Sequence, residues 1–130
     1  MAARSSSVLG SERLIAFVAT TDAARARAFY GGTLGLRLVS EDGFALVFRV
    51  KGTMLRVQIV PKVAPAPYTS LGWQVADIVA IARTLKRAGV LLERFPGMPQ
   101  DALGIWKSPS GARVGWFRDP DGNILSLTQL

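Results

Sequence analysis

Histidine and cysteine are both absent from this chain. Without thiols there is no disulfide framework, no thiolate nucleophile and no thiolate metal site. Without imidazole the usual general base and the usual metal ligand are missing too. Acidic residues are scarce, nine against sixteen Lys and Arg, and the net charge of +7 follows from that imbalance. No apolar run approaches the roughly 18 residues that would span a bilayer, so no membrane partner is expected. The lack of cysteine fits a cytoplasmic protein. No basic run or nucleic-acid motif gathers the cations, which scatter through both halves, so no nucleic acid is expected. The positive charge reads instead as a bias toward neutral or anionic small molecules. No phosphate-binding glycine loop is present, because Gly31-Gly32 follows a helical pattern rather than opening one. No carboxylate pair has a spacing suited to acid–base work.

What is present suffices for one domain of 130 residues with a sizeable core. Residues 1–11 are rich in Ser and Ala and read as a flexible tail. Residues 14–19 read as a buried strand, and Asp22 caps a helix over 23–30 that Gly31-Gly32 ends. Strands follow at 34–39, 44–50 and 53–60, the last two joined by a tight Lys51-Gly52 hairpin. Three prolines mark 61–69 as a linker. The pattern then restarts. A strand spans 71–75, and Asp77 caps a helix whose apolar positions Ile78, Ile81, Ala82 and Leu85 share one face. Gly89 stops it, and a short strand over 90–93 precedes a Pro/Gly loop at 95–99. A meander over 103–107, 112–118 and 123–128 closes the chain. Its turns, Ser108-Pro109-Ser110-Gly111 and Asp119-Pro120-Asp121-Gly122, are both polar-Pro-polar-Gly.

The order is therefore βαβββ twice, modules 12–60 and 70–130 of a single domain over 12–130. The fold class is α+β: paired βαβββ modules forming a curved, mostly antiparallel sheet around a cleft. Each module covers one sheet face with a helix and leaves the other open, and the two open faces are expected to close on each other.

Strand parity sorts the faces. The helix-facing set is Leu14, Ala16, Val18, Leu55, Val57, Ile59, Leu71, Trp73, Val75, Leu125 and Leu127, uniformly apolar as a core should be. The cleft-facing set mixes apolar and polar groups, as small-molecule pockets do. It holds Ile15, Phe17 and Ala19, then Met54, Arg56, Gln58 and Val60, then Ser70, Gly72 and Gln74, then Ile124, Ser126 and Thr128. Phe44, Phe48, Trp106 and Trp116 add aromatic surface whose face parity leaves open. Candidate ligand-binding residues are Phe17, Met54, Arg56, Gln58, Ser70, Gln74, Trp106, Trp116 and Ser126. Each also has a bland reading: solvated or interface arginine, backbone-satisfying glutamine, small serine filler, core tryptophan. Ser126 is no hydrolytic nucleophile, since no His or strand carboxylate can serve as its base.

Four segments carry a family resemblance. They are Phe17-Val18-Ala19-Thr20-Thr21-Asp22 running into Ala28-Phe29-Tyr30, Leu34-Gly35-Leu36, Gly72-Trp73-Gln74-Val75-Ala76-Asp77-Ile78, and Phe117-Arg118-Asp119-Pro120-Asp121-Gly122-Asn123. In that order the chain resembles the vicinal oxygen chelate superfamily of glyoxalase I, extradiol dioxygenases, and fosfomycin- and bleomycin-resistance proteins. The resemblance implies paired βαβββ modules, commonly assembled as a homodimer. It also implies a divalent metal on the open sheet face, bound through His, Glu or Gln from the first and last strand of each module. Those positions fall at Ile15, Gln58 (with Arg56 one pleat away), Ser70 and Ser126. Ile, Gln, Ser and Ser do not supply the converging imidazole or carboxylate donors a metal needs. The nine acids, Glu12, Asp22, Glu41, Asp42, Asp77, Glu93, Asp101, Asp119 and Asp121, are expected in turns, caps, tail or strand ends.

The expectation is thus a metal-independent small-molecule binder of the bleomycin-resistance type, with no catalytic residue, metal or cofactor. Its ligand is neutral or anionic, apolar or aromatic, packed against Phe17 and Met54 and oriented by Arg56, Gln58 and Gln74. The alternatives are a glyoxalase-like lyase, isomerase or dioxygenase with a non-standard or displaced site, and an interaction module whose open face serves dimerisation alone.

Overall fold

A computed structural model describes residues 7–130. β1 (Ile15–Thr20) leads into the helix α1 (Ala23–Ala26), which continues as a π-helical stretch over Arg27–Thr33. Then come β2 (Arg37–Glu41), β3 (Ala45–Val50) and β4 (Thr53–Ile59). The second half repeats this with β5 (Thr69–Gln74), α2 (Ile78–Arg87), β6 (Trp106–Lys107), β7 (Arg113–Arg118) and β8 (Ile124–Gln129). The first sheet has the order β1-β4-β3-β2 and the second β5-β8-β7-β6. Within each, the first strand pairs in parallel with the last, and the other pairings are antiparallel. A parallel partner requires a long crossover, and the intervening helix and hairpin supply it in both halves.

The edge strands β1 and β5 are in contact but share no hydrogen-bonded ladder, so the two sheets meet there without merging. This is the α+β arrangement of paired βαβββ modules expected from the sequence, each sheet turning one face to the helices and the other away from them. The helices sit over a single core. Leu46, Phe48, Leu55 and Val57 of the first sheet meet Ile78, Ala82, Leu85, Phe117, Leu125 and Leu127 there. Phe29 packs edge-on to Tyr30 at 5.3 Å and lies 6.5 Å from Phe117, so α1 and its extension serve both halves. Burying one such ring removes enough apolar surface to contribute about 1.5–3 kcal/mol.

Local chemistry explains most element ends. The carboxylates of Asp22 and Asp77 accept from Arg25 N and Ala80 N, each at 3.1 Å, capping the two helices. Lys51 (φ 41°) and Gly52 (φ 81°) both adopt left-handed backbone, as a two-residue hairpin requires. Several expectations need correction. Gly31-Gly32 does not end the first helix, because the wider π turn runs on to Thr33. The following strand accordingly starts at Arg37 rather than Leu34. Leu14 lies outside β1 and is 78% exposed, so it is not core. Ile81 sits at the rim of its helix face and is only part covered.

The strand expected over 90–93 does not form; a single bond from Glu93 N to Trp116 O (2.6 Å) remains. The strand expected over 103–107 shrinks to Trp106–Lys107. The Asp101 side chain accepts from both Leu103 N and Ile105 N at 2.9 Å, holding that stretch in a turn. The linker ends one residue early, since Thr69 belongs to β5.

Candidate functional site

The open sheet face is the surface that none of the described helices covers. Cross-strand register sets which side chains share it. In the first half Phe17 stands opposite Arg56 and Ala19 opposite Gln58, while Ile15, Met54 and Arg49 share a row. In the second half Gly72, Ser126 and Trp116 form one row, and Gln74, Thr128, Val114 and Trp106 the next. Phe17, Met54, Arg56, Gln58, Gln74, Ser126, Trp106 and Trp116 are therefore brought to one face. Ile15 and Phe17 are about half exposed there, at 45% and 50%. Phe44 is exposed at a strand end, and Phe48 is fully buried on the helix side.

Ser70 departs from its expected place. A bulge between Thr69 and Leu71 pairs Thr69 with Ile124 and leaves Ser70 out of register. Thr69 takes the position instead, and its hydroxyl accepts a hydrogen bond from Trp116 Nε1 at 3.2 Å. Strand parity fails at such a point because one extra residue shifts every upstream side chain to the other face. Ser126 is half-buried, and its Oγ occupies the space that a Cβ on Gly72 would take.

Around Trp116 the face becomes a hollow of 250 Å³, lined by Tyr68, Thr69, Phe95, Met98, Trp116 and Ile124 among others. Ile124, expected in the cleft, forms its buried floor. Phe95 meets Trp116 edge-on at 5.5 Å, and Trp106 lies 6.1 Å from Trp116, tilted by 34°. Tyr68, Phe95 and Met98 come from the linker and the Pro/Gly loop, so strand parity could not reveal them. The available signal was an aromatic beside a proline in each loop, Pro67-Tyr68 and Phe95-Pro96. Gln100 holds the second loop in place. Its Nε2 donates to Glu93 O and Gly104 O, and its Oε1 accepts from Phe95 N, all at 2.8 Å.

The donor set does not fit a divalent metal. Ile15 carries no lone pair, Ser70 is displaced by the bulge, and Gln58 is exposed. Among the described residues no three His, Cys, Asp or Glu side chains approach one another closely enough to hold an ion. Every acid but Glu12 has its carboxylate engaged in a hydrogen bond or ion pair of its own. Asp42 is held below the usual carboxylate range, chiefly by hydrogen bonds from Phe44 N and Ala45 N, with Arg56 adding a smaller effect.

Beside this face the two halves are tied by the Asp119-Pro120-Asp121-Gly122 turn. Gly122 N donates to Asp119 O at 3.0 Å, and Gly122 has φ 88°. The buried Asp119 carboxylate accepts from Asp121 N, Asn123 N, Asn123 Nδ2 and, at 2.6 Å, the Tyr30 hydroxyl. Burial foremost, then the adjacent Asp119 charge, pushes the Tyr30 hydroxyl far above its ordinary value. Burial also pushes the Asp121 carboxyl up, but hydrogen bonds from Thr20 and Thr21 and the charge of Arg25 outweigh it, and the net shift is downward. Arg25 Nη2 lies 2.8 Å from Asp121, and Asn123 Nδ2 donates to Ala19 O at 2.9 Å. The end of β1 is thus locked to the start of β8.

A second cavity, 280 Å³, opens on the helix side between the π-helical stretch and α2, with Trp73 and Phe117 in its lining. Thr33 and Thr84 are its polar side chains. It has no charged group to orient a ligand, whereas the open face has several.

The family model described as the glyoxalase/bleomycin resistance protein/dioxygenase superfamily matches residues 14–127. No curated protein matches significantly. Among solved structures, a lactoylglutathione lyase from Agrobacterium tumefaciens is similar with a TM-score of 0.72 at 18% identity, over 92% of this chain and 93% of that one. A superfamily member from Sphaerobacter thermophilus aligns with a TM-score of 0.69 at 26% identity, over 91% and 96%. A glyoxalase family protein from Enterococcus faecalis gives 0.66 at 19%, over 89% and 94%. No described helix is long and apolar enough to cross a membrane.

Proposed function

Since this chain belongs to the glyoxalase/bleomycin resistance protein/dioxygenase superfamily, we propose that it uses the family's open sheet face to bind a small molecule without a metal. The ligand is an apolar or aromatic compound, neutral or anionic. The observation that carries this reading is the exchange of chemistry on that face. Where metal donors are expected stand Ile15, Gln58, Thr69 in place of the displaced Ser70, and Ser126, and next to Ser126 lies the hollow walled by Tyr68, Phe95 and Trp116. An aromatic ring entering it meets Trp116, whose geometry with Phe95 is already edge-to-face; such contacts contribute about 0.5–1.5 kcal/mol beyond area burial. Arg56, Gln58 and Gln74 supply orientation, and the net charge of +7 favours a neutral or anionic ligand over a cationic one. The family resemblance adds a homodimer, which sedimentation velocity checks.

The test is a thermal-shift screen of aromatic compounds against wild type and Trp116→Ala, followed by tryptophan fluorescence titration of the hits. A true ligand raises the wild-type midpoint through its preference for the folded state and quenches emission, and Trp116→Ala weakens both. Hits that bind wild type and Trp116→Ala equally would move the site away from this hollow. Stoichiometric zinc, nickel, manganese or iron in the purified protein would replace this reading with a glyoxalase-like lyase, isomerase or dioxygenase.

A further inference from the structure

The first half of the open face carries three arginines on adjoining positions. Arg37 stands directly opposite Arg49 across β2 and β3. Arg49 is opposite Met54 and Val47 opposite Arg56 across β3 and β4, so Arg49 and Arg56 lie on a diagonal of the same face. In antiparallel sheets directly opposed Cβ atoms are about 4.5–5.5 Å apart and diagonal positions about 7–8 Å. Three arginines therefore occupy adjoining positions on one patch of sheet.

Like charges directly opposed destabilise a sheet, and among the described residues none of the three is in an ion pair. The ion pairs among the described residues are Arg25–Asp121, Arg27–Glu41 and Arg118–Glu93. Glu41, the acid on β2, lies opposite Leu46 and is held by Arg27 at 2.7 Å. Asp42 is close enough for Arg56 to affect its ionisation. Its Oδ1, however, is engaged by Phe44 N and Ala45 N, and it makes no ion pair with the arginines. A small hollow of 40 Å³ lies beside Arg49, lined also by Val39, Val47, Phe48 and Met54.

Resting on the reading of this face as a ligand site, we propose that Arg37, Arg49 and Arg56 form a subsite for a dianionic oxyanion, the phosphoryl group of a small molecule. A phosphomonoester brings close to two negative charges at pH 7 and three acceptor oxygens. Guanidinium forks match those oxygens in pairs, as single ammonium groups do not. A carboxylate would leave more of the local positive charge unopposed. The flanking side chains, Ile15, Phe17 and Met54, are apolar. That favours the head of a small molecule over a nucleic-acid backbone, which needs a run of cations.

Inorganic pyrophosphate is the probe, with sodium chloride at matched ionic strength as control and indole as a neutral aromatic probe read by tryptophan fluorescence. Wild type is expected to melt several degrees higher in millimolar pyrophosphate than in the chloride control. Arg49→Gln and Arg37→Gln are expected to bind pyrophosphate at least tenfold more weakly while binding indole as wild type does. Without anion at low salt, neither variant should melt below wild type, since each relieves a like-charge pair. An equal pyrophosphate response in wild type and variants overturns the subsite, as does no response beyond chloride. So does binding confined to oligonucleotides. A normal pyrophosphate response with no indole binding sinks the aromatic reading and leaves the anion subsite standing; the converse sinks only the subsite.

Discussion

Replacing Tyr30 with phenylalanine tests the junction between the two halves. The ring keeps its packing on Phe29 (5.3 Å) and Phe48 (6.1 Å), and only the hydroxyl is lost. That hydroxyl is buried and donates to Asp119 at 2.6 Å. A hydrogen bond to a charged group is worth about 1.5–3 kcal/mol. Unfolding entropy of about 2.1 cal/mol/K per residue over 130 residues gives about 0.27 kcal/mol/K. A loss of about 2 kcal/mol then lowers the melting midpoint by about 7 °C.

The alkaline limb adds a second, independent readout. In the folded protein the Tyr30 hydroxyl is held protonated well beyond its ordinary value of 10.0. Above about pH 10 the unfolded chain releases this proton and the folded one does not, so the unfolded state binds fewer protons and wild-type stability falls with pH. By pH 11 that loss reaches about 1.4 kcal/mol, and Tyr30→Phe cannot suffer it. The deficit of the variant should therefore shrink from about 2 kcal/mol at pH 7 to well under about 1 kcal/mol at pH 11. Urea unfolding followed by circular dichroism at the two pH values measures both. A deficit below about 0.5 kcal/mol at pH 7, or one unchanged at pH 11, would refute the reasoning.

Three further expectations follow from the same structure. Asp121→Asn removes the charge that holds Thr20, Thr21 and Arg25. Because its folded value is depressed below 3.8, the contribution is full above that pH and vanishes as pH falls through the folded value. Wild type and variant should differ in urea at pH 7 and converge near pH 2. Gly104→Ala places a Cβ 2.9 Å from Leu92 Cβ at φ 95°. A loss of more than about 1 kcal/mol is expected in the same assay, and a neutral result would mean the 101–105 turn is not held as described. Zinc, nickel or manganese in excess should leave the melting midpoint unmoved, and a rise of several degrees with any one would show that the open face does supply metal donors.

Much of the fold was legible because it rests on periodicity and turn chemistry. The capped helices at Asp22 and Asp77, the Lys51-Gly52 hairpin and the Asp119–Gly122 turn follow from local sequence and appear where local sequence puts them. Errors arose where side chains compete for backbone groups or the chain changes step. Asp101 captured the donors of an expected strand, a π-helical extension displaced β2, and one bulge exchanged Ser70 for Thr69. The strand part of the candidate site was readable from alternation alone. Tyr68, Phe95 and Met98 were not, because loops have no period, and the backbone at Phe95 is set by a side-chain bond to Gln100 that alternation does not signal. Nor was the adjacency of Arg37, Arg49 and Arg56 on one face, which depends on knowing which strands are neighbours.

The bond between Tyr30 and Asp119 spans 89 positions of chain, and that between Asn123 and Ala19 spans 104. A protein emerging from the ribosome makes its first half long before these partners exist. The Tyr30 hydroxyl, aimed into what becomes the core, has nothing to donate to until the last turn has been synthesised and closed. Contacts of such separation are formed late, because chain closure precedes any energetic return. The first module is thus complete in sequence yet unfinished in structure through most of synthesis. A fragment ending before Asp119 should show strand signal by circular dichroism but bind hydrophobic dyes and lack a cooperative melt. A cooperative transition in that fragment would mean the first half completes itself, and that the late turn merely joins two finished pieces.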